Sequence, residues 1–283
     1  MPYLCRIRIH FYTTMAIITL TSDWGYSDYY VAAVKGKILS QLPDATIVDI
    51  THDIPPFNVR QAGFVLKNSF RDFPPGTIHI VSVNSIESID MPHVVVKAEG
   101  QYFISADNGL FGQILDGFDE AVSITVLQDT DSFNFATRDR FVKVAAMIAN
   151  GTPLSEIGEP RLKLNGGAFC AVARDNTIEG IVIHIDSYEN LVTNITKEMF
   201  ERECRGRKFK ILVKGSLYTI DKISDTYLDV DKADLVAIFG SHGYLELALN
   251  NAKLASLCGI DLDATIRVVF GEEETQPQRA TLF

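Results

Sequence analysis

The sequence predicts an α/β fold: an N-terminal, mostly parallel, doubly wound α/β domain followed by a smaller C-terminal β-barrel-like domain. Apolar, β-branched runs such as Ile17–Thr21 and Thr77–Val83 alternate with helical patterns as far as Pro160, as in βαβ units. Beyond Pro160, short apolar runs separated by turns predict a small barrel or sandwich. The length of 283 residues also favours two domains, because single cores usually stop growing at ~250–300 residues.

The domain boundaries follow from the same change of pattern. We predict an α/β domain over residues 15–162, a linker over 163–167 and a β-rich domain over 168–283. Residues 1–14 are expected to be an extra arm or to precede the true start at Met15, which lies directly before the first strand. In the β-rich domain, helical periodicity is visible only over Tyr244–Ser256.

Composition excludes several classes of function. The formal charge of −10 disfavours a nucleic-acid partner, which requires a basic surface. The four cysteines lie far apart in the sequence, so neither a zinc site nor a disulfide framework is expected, and the chain fits a reducing cytoplasm. No apolar run reaches the ~18 residues of a membrane span. No residues have metal-ligand spacing, and we predict no metal and no cofactor.

One stretch organises the first domain. The apolar run Ile17–Thr21 stops at the polar turn Ser22–Gly25, and a helical pattern begins near Asp28. We expect Asp23 at the last position of the strand and Asp28 at the N-cap of the helix. In an open α/β sheet ligands bind at the carboxyl ends of strands, so Asp23 is either a turn-former or an acceptor for a sugar diol. The residues alone leave both readings open.

The remaining elements are predicted in order along the chain. Further strands and helices are expected at Ala45–Ile50, Val59–Phe70 (helix), His93–Lys97 paired with Gln101–Ser105, Val122–Val126, Thr137–Asn150 (helix with Thr137 as cap), Gly180–Asp186, Leu191–Ile195, Phe209–Val213, Leu235–Phe239 and Thr265–Phe270.

Six short segments occur in one collinear order between about residues 16 and 270: Ser22–Gly36, Ile47–Asp53, Pro74–Thr77, Asp107–Leu110, Ile185–Asn194 and Gly240–Asn250. Together they resemble the S-adenosylmethionine hydroxide adenosyltransferases and their relatives, the fluorinase and chlorinase. The resemblance implies a homotrimer in which S-adenosylmethionine lies between the α/β domain of one subunit and the β domain of its neighbour. It also implies displacement at the ribose 5′-carbon with release of methionine.

The resemblance assigns roles to residues of the first domain one at a time. Asp23 matches the carboxylate that accepts from the ribose diol, and Asp28 matches a carboxylate that meets the methionine amino group. Phe57 matches an aromatic residue beside the ribose and the reacting centre, followed by Asn58. Asn165 falls near an asparagine of the interdomain linker.

In the second domain the resemblance covers a loop and the C-terminal segment. The expected substrate contacts are Asp186, Tyr188, Asn190, Ser241, His242, Asn250 and Asn251. Tyr188-Glu189 replaces a Phe-Gly pair, so we expect the ring to be kept and the glycine turn to be lost. Ser241 and His242 match the pair that holds the methionine carboxylate, to which a neutral histidine can donate one hydrogen bond. Backbone groups of the two asparagines would reach the adenine edge.

The chain departs from the family's hydrolases at the water-activating positions. Those members carry an Asp-Arg-His set, and here the positions hold Asn84, about Met91, and Ala136. A general base typically contributes ~10²–10⁴-fold, so water attack is expected to be much slower without a substitute.

The altered loop offers candidate substitutes. Glu87, Asp90 and His93 lie in it, but loop charges are usually exposed to solvent, and we expect these three residues to be solvated. Thr137 aligns with a serine of the halide-using relatives and precedes a helix, where anions bind readily; the alternative is simple capping. Asn84 and Thr137 are therefore the candidate catalytic residues.

Three functions remain open. The first is hydrolysis of S-adenosylmethionine to adenosine and methionine, favoured because it is the expected activity of the resembled family. The second is non-catalytic binding of S-adenosylmethionine or adenosine, which needs no base. The third, ranked last because halogenation is rare and the first domain lacks a long insertion, is a halide adenosyltransferase.

Overall fold

The computed structural model describes residues 15–128, 134–167 and 170–271. The chain divides into two compact units, Met1–Gly167 and Ala168–Phe283. The predicted arm over residues 1–14 lies outside the described residues. Within the described ranges, no helix is both long and apolar enough to cross a membrane.

The first unit contains a mixed seven-stranded sheet in the order β2-β1-β3-β5-β4-β6-β7. Its strands are β1 (Ile17–Ser22), β2 (Thr46–Thr51), β3 (Ile78–Ser82), β4 (His93–Ala98), β5 (Gln101–Ala106), β6 (Glu120–Ile124) and β7 (Gly158–Pro160). Strands β2, β1, β3 and β5 pair in parallel, whereas β4, β6 and β7 join antiparallel.

The expectation of a mostly parallel sheet therefore holds only for the half formed by β2, β1, β3 and β5. The predicted pair of β4 and β5 is confirmed as a hairpin. Strands β4 and β5 are connected only by Glu99 and Gly100, which have φ values of +50° and +74°. A two-residue turn with two positive φ values joins antiparallel strands, and a parallel pair would need a much longer crossover. The short connection sets the direction of β4, and β6 and β7 then add to it in antiparallel pairs.

Helices cover both faces of this sheet. They are α1 (Tyr30–Gln41), α2 (Val59–Lys67), α3 (Phe111–Ile114) and α4 (Val142–Ala149). Along β4, Val95 belongs to the hydrophobic cluster that contains residues of α1 and α4, whereas Val94 and Val96 belong to the cluster that contains residues of α2 and α3. Because successive strand residues point to opposite faces, the two helix pairs lie on opposite sides of the sheet.

The second unit is built on an antiparallel, barrel-like sheet in the order β12-β11-β15-β9-β10-β14-β13, with β8 paired to β9. Its strands are β8 (Val172–Arg174), β9 (Thr177–Ile185), β10 (Leu191–Thr196), β11 (Phe209–Val213), β12 (Tyr218–Ile220), β13 (Leu235–Phe239), β14 (Tyr244–Leu249) and β15 (Thr265–Phe270). The end strands β12 and β13 approach each other, and one hydrophobic cluster fills the interior. Its helices are α5 (Lys197–Cys204) and α6 (Leu254–Cys258).

The helix predicted over Tyr244–Ser256 is wrong for its first half. Tyr244–Leu249 is strand β14, in which Leu245 and Leu247 join the barrel core and Ala248 packs in a separate cluster. The apolar residues thus follow a period of 2 that a short run shares with a helical pattern. Helix α5 was not predicted, although Thr196 caps it by accepting from the Met199 N–H.

Buried His79 connects three strands of the first sheet. It lies opposite Thr19 in the parallel register, where its Nδ1 is 2.7 Å from the Thr19 hydroxyl. Its Nε2 is 2.5 Å from Gln101 Oε1, and its ring stacks on Phe103 at 4.9 Å. Burial lowers the pKa of His79 from 6.5 to about 4, although the bond to Gln101 acts in the opposite direction.

We predict that His79 makes the first unit sensitive to acid. Because the folded-state pKa lies below the unfolded one, the stabilisation is full above pH 6.5 and is lost as the pH falls through about 4. The loss is on the order of 3 kcal/mol, at ~1.4 kcal/mol for each pKa unit. Urea unfolding of wild type and His79→Gln across this range should give a shallower pH dependence for the variant. Parallel curves would contradict the assignment, whatever the absolute stabilities.

Candidate active site

A pocket of about 820 Å³ opens in the first unit beside the carboxyl ends of the parallel strands β1 and β3. This is the edge at which open α/β sheets bind ligands. Its lining includes aromatic rings, carboxylates, hydroxyls and two basic side chains: Trp24, Tyr30, Phe57 and Phe135; Asp23, Asp28 and Glu87; Ser82, Ser85 and Thr137; His93 and Arg140; and the amide side chain of Asn84.

Asp23 and Phe57 are held together at one side of the pocket. Asp23 directly follows β1, one position later than predicted, and its Oδ2 accepts the Phe57 N–H at 2.8 Å. Phe57 has φ +64° and is 69% exposed, so its ring is not part of the core. The bond therefore fixes the turn after β1 against the turn after β2, as a shared site requires.

A buried polar group supports these two turns. The Ser22 hydroxyl is 2.6 Å from His52 Nδ1, and the His52 carbonyl accepts the Gly25 N–H at 2.7 Å. His52 Nε2 lies 3.2 Å from Asp49 Oδ1, at an angle outside that of a hydrogen bond. Burial alone would raise the pKa of Asp49, but the hydrogen bond from Lys35 and the nearby His52 lower it.

The predicted N-cap role of Asp28 is wrong. Helix α1 begins at Tyr30, and its N-cap is Tyr29, which makes no side-chain cap bond. The chain forms a bend before the helix, and this bend carries Asp28 onto the pocket wall. The Asp28 carboxylate is therefore not engaged in capping α1.

Aromatic rings form one wall of the pocket. The Phe135 ring meets Trp24 edge to face at 5.6 Å and Tyr30 at 5.4 Å. Trp24 and Tyr30 lie 6.0 Å apart. Edge-to-face contacts of this kind add to the energy of burial, and the mutual packing holds the ring faces in place.

Thr137 does not cap a helix through its side chain. The N-cap is Ala136, and Thr137–Phe141 form a π-helical turn that leads into α4. The Thr137 hydroxyl instead lies 2.6 Å from the Ser82 hydroxyl, which is 3.0 Å from that of Ser85. The buried pair and its neighbour present a row of hydroxyl groups to the pocket.

The three positions that match the Asp-Arg-His set of the resembled hydrolases do not all lie at the pocket. Asn84 and Ala136 line the pocket, whereas Met91 is not among the described lining residues. Asn84 has φ +47°, and its carbonyl accepts from the Asn108 side chain at 3.0 Å.

Three ionisable side chains approach each other between these positions. His93, the first residue of β4, is 2% exposed, so the expectation that it is solvated is wrong. Arg140 donates to Glu87 Oε2 at 2.7 Å and lies 3.2 Å from His93 Nδ1. Sequence reasoning did not single out Arg140; its position four residues after Ala136, on the same helical face, could have indicated it.

The side chains of Asn58 and Asn165 make hydrogen bonds to the backbone within the first unit. Asn58 Oδ1 accepts the Gln61 N–H and thereby caps α2. The Asn165 side chain donates to the carbonyls of Asp90 at 2.6 Å and Asp107 at 2.8 Å. Neither asparagine is among the described residues that line the pocket, and their predicted substrate contacts stay predictions.

In the second unit, Asp186 organises the predicted binding loop. Its Oδ1 accepts the N–H groups of Tyr188 at 2.9 Å and Asn190 at 2.8 Å, and its Oδ2 accepts from the Asn190 side chain at 3.0 Å. Tyr188 is 76% exposed. The loop thus presents the ring, while Asp186 and Asn190 hold its shape.

The expectation that Glu189 abolishes the glycine turn is wrong. Glu189 itself adopts φ +64°. Its carboxylate accepts from the Ser256 N–H and the Lys253 ammonium, each at 2.9 Å. Hydrogen bonding to Ser256, followed by the contact with Lys253, lowers the pKa of Glu189 to about 2. These contacts with the start of α6 offset the strain of a side chain in the left-handed region.

Both ring nitrogens of His242 have partners within the second unit. Its Nδ1 accepts the Tyr244 N–H at 3.1 Å, and its Nε2 lies 3.3 Å from Oε2 of buried Glu246. Tyr227 donates to the other oxygen of Glu246. The N–H that a neutral His242 would offer to a ligand carboxylate is therefore directed at Glu246, whereas Ser241 is exposed.

Asn250 and Asn251 lie where β14 ends. The Asn250 N–H donates to the Asp234 carbonyl at 3.0 Å, and its carbonyl accepts the Ala233 N–H at 2.8 Å. Its side chain donates to the Val230 carbonyl at 2.9 Å. Asn251 has φ +56° and donates to the Asn250 side chain. The backbone N–H of Asn250 is thus already bonded within the unit.

Comparisons with known proteins agree on one family. Residues 18–158 match the family model of the SAM hydroxide adenosyltransferase N-terminal domain, and residues 180–267 match that of its C-terminal domain. An (R)-S-adenosyl-L-methionine hydrolase of Methanocaldococcus jannaschii is 30% identical over 90% of this chain and 96% of its own length. A fluorinase of Nocardia brasiliensis is 28% identical over 90% of this chain and 97% of its own length.

A solved structure has the same fold. The crystal structure of an uncharacterised conserved protein from Thermotoga maritima has a TM-score of 0.80 and 29% sequence identity, and the match covers 89% of this chain and 99% of that one.

We predict that two substitutions of Glu189 will distinguish the cost of backbone strain from the contribution of the side-chain contacts to stability. Glu189→Ala keeps a side chain in the left-handed region and removes both partners, whereas Glu189→Gly also removes the strain. The urea midpoint of the second unit should fall in both variants, and further in Glu189→Ala. The difference in urea midpoint between wild type and each variant should shrink as the pH drops from 4.5 towards about 2, where the wild-type carboxylate is neutralised. Equal midpoints for Ala and Gly would contradict a strained turn.

Proposed function

The chain belongs to the SAM hydroxide adenosyltransferase family, and from that premise we propose that it binds S-adenosylmethionine and cleaves it with water at the ribose 5′-carbon. The products are adenosine and L-methionine. The observation that carries this proposal is one pocket lined both by Asp23, Phe57 and the aromatic wall and by the ionisable group of Glu87, His93 and Arg140. No metal or other cofactor is required, since the leaving group is a neutral thioether.

The pocket supplies the contacts that the substrate needs. The Asp23 carboxylate, fixed by the Phe57 N–H, has acceptor sites left for the two ribose hydroxyls, and hydrogen bonds to a charged group contribute ~1.5–3 kcal/mol each. The aromatic wall of Trp24, Tyr30 and Phe135 attracts a sulfonium by a cation–π interaction of ~1–2 kcal/mol. Such positioning places the 5′-carbon in line for displacement.

Non-catalytic binding of S-adenosylmethionine or adenosine is the second candidate function. It is supported by Asn84 and Ala136 in the pocket, where the resembled hydrolases carry ionisable side chains. It explains neither the burial of His93 nor the anchoring of Glu87 on Arg140 in that same pocket. Halide transfer ranks third, because the Thr137 hydroxyl that would meet an anion is already paired with Ser82.

Two further properties stay predictions. These are a homotrimer with sites between subunits, which the resemblance implies, and a cytoplasmic location, which the cysteine pattern favours. Light scattering of the purified chain would measure the first, with three copies expected.

Overnight incubation with S-adenosylmethionine, with and without chloride, tests the proposed function. Chromatography should show adenosine and methionine, and no 5′-chloro-adenosine. Asp23→Ala should weaken S-adenosylmethionine binding ~10²-fold or more, because two charge-assisted hydrogen bonds are lost. Asp44→Ala is the matched control, since Asp44 is exposed in the loop that enters the opposite end of β2. Tight binding without product would favour the non-catalytic alternative, and neither binding nor product would refute both.

A further inference from the structure

Glu87, His93 and Arg140 form an ionisable group in the pocket. The pocket lacks the Asp-Arg-His set of the resembled hydrolases. The Asp and His positions of the resembled hydrolases hold Asn84 and Ala136, neither of which can take a proton from water at neutral pH. Glu87 lies three residues after Asn84, and Arg140 lies four residues after Ala136. All four line the same pocket, so positions close to Asn84 and Ala136 supply ionisable side chains to it.

Arg140 is a rigid anchor for the Glu87 carboxylate. Its Nε donates to the Val126 carbonyl at 2.8 Å, and its Nη2 donates to the Ile124 carbonyl at 3.1 Å. These two bonds leave Nη1 directed at Glu87 Oε2, 2.7 Å away. Arg140 is only 12% exposed, whereas Glu87 is 43% exposed. The carboxylate is therefore held from the protein side and open on the pocket side.

His93 completes the group as a neutral donor and acceptor. Its Nε2 lies 2.9 Å from the Ser85 carbonyl, which can only accept, so the proton is on Nε2 and Nδ1 accepts from Arg140 at 3.2 Å. Burial lowers the pKa of His93, in keeping with a neutral ring. Its backbone N–H lies 3.5 Å from Glu87 Oε1. Both ring nitrogens are occupied, which leaves Glu87 as the member of the group that can receive a proton.

We propose that Glu87 is the catalytic base of this protein, held in place by Arg140 and His93 as positioning residues. This inference rests on the proposed hydrolysis and assigns the residue that activates its water. The water oxygen bonds to the 5′-carbon as the carbon–sulfur bond breaks, and the bonding electron pair stays on sulfur, which leaves as methionine. The water proton passes to the Glu87 carboxylate and then to solvent, so that adenosine, methionine and one proton balance the sulfonium and water.

Glu87→Gln removes the base and keeps the shape of the side chain. Adenosine formation should fall ~10²–10⁴-fold in kcat, the usual contribution of a general base. The KM and the affinity for S-adenosylmethionine should change little, because Glu87 contacts the water and not the substrate. The measurements are initial rates by chromatography and a calorimetric titration with S-adenosylmethionine.

Glu99→Gln is the matched control for a merely structural effect. Glu99 is 42% exposed and pairs with Arg71 at 2.6 Å, much as Glu87 pairs with Arg140, but it lies outside the pocket lining. It should leave kcat unchanged. If Glu87→Gln fails to fold, Glu87→Asp serves instead: it keeps the charge but withdraws the carboxylate, and should lower kcat with substrate binding intact.

The possible outcomes separate the two proposals. A wild-type enzyme that forms adenosine, with Glu87→Gln as active as wild type and Asp23→Ala inactive, would overturn the assignment of Glu87 and leave the hydrolase proposal standing. A wild-type protein that forms no adenosine would overturn both.

The positioning role of Arg140 is tested by a double-mutant cycle on kcat. Arg140→Lys should lower kcat on its own and add little in the Glu87→Gln background, because it acts through the carboxylate that is already lost. Additive effects would contradict that role.

Discussion

The hydrogen bond between Ser22 and His52 is the contact on which the pocket of the first unit depends. Parallel pairing of β1 with β2 and β3 brings three strand ends to one edge, but the turns that follow are polar and would otherwise be free to move. A fully buried bond of 2.6 Å between the ends of β1 and β2, together with the backbone bond from Gly25 to His52, fixes both turns. Only then do Asp23 and Phe57, which come from different turns, meet at 2.8 Å.

The carboxylates that line the pocket come from different elements of the first unit. We propose different roles for Asp23 and Glu87: Asp23 accepts from the ribose hydroxyls, and Glu87 accepts the proton of the attacking water. The structure separates the two carboxylates, because Asp23 directly follows β1 and Glu87 lies in the loop between β3 and β4. The arginine that holds Glu87 is itself bonded to two backbone carbonyls. The Glu87 carboxylate is therefore held in position without a bound ligand.

Sequence reasoning located the elements that depend on local pattern and missed those that depend on tertiary contacts. The turns that carry Asp23 and Phe57 could be predicted, because polar residues that end buried strands indicate a sheet edge. The antiparallel pair of β4 and β5 could also be predicted, because the Glu99-Gly100 turn indicates a hairpin, whereas the antiparallel additions of β6 and β7 depend on tertiary pairing. Strand β14 was predicted as helix because a short apolar run fits both periods. Arg140 was missed because its partners, Glu87 and the Ile124 carbonyl, are distant in sequence.

Glu189 and Glu87 illustrate why a departure from a family's residues is weak evidence for a lost function. At position 189 the backbone conformation of a glycine is kept by a residue that disfavours it, because Ser256 and Lys253 bind its carboxylate. In the first pocket the ionisable residues are replaced, yet a carboxylate, an arginine and a histidine again lie together there. At position 189 the partners of the substituted residue are distant in sequence, and in the pocket of the first unit Glu87 and Arg140, which lie near the replaced positions, are brought together by the fold. A motif comparison tests only the positions of residues, whereas the chemistry depends on which groups reach the same point in space.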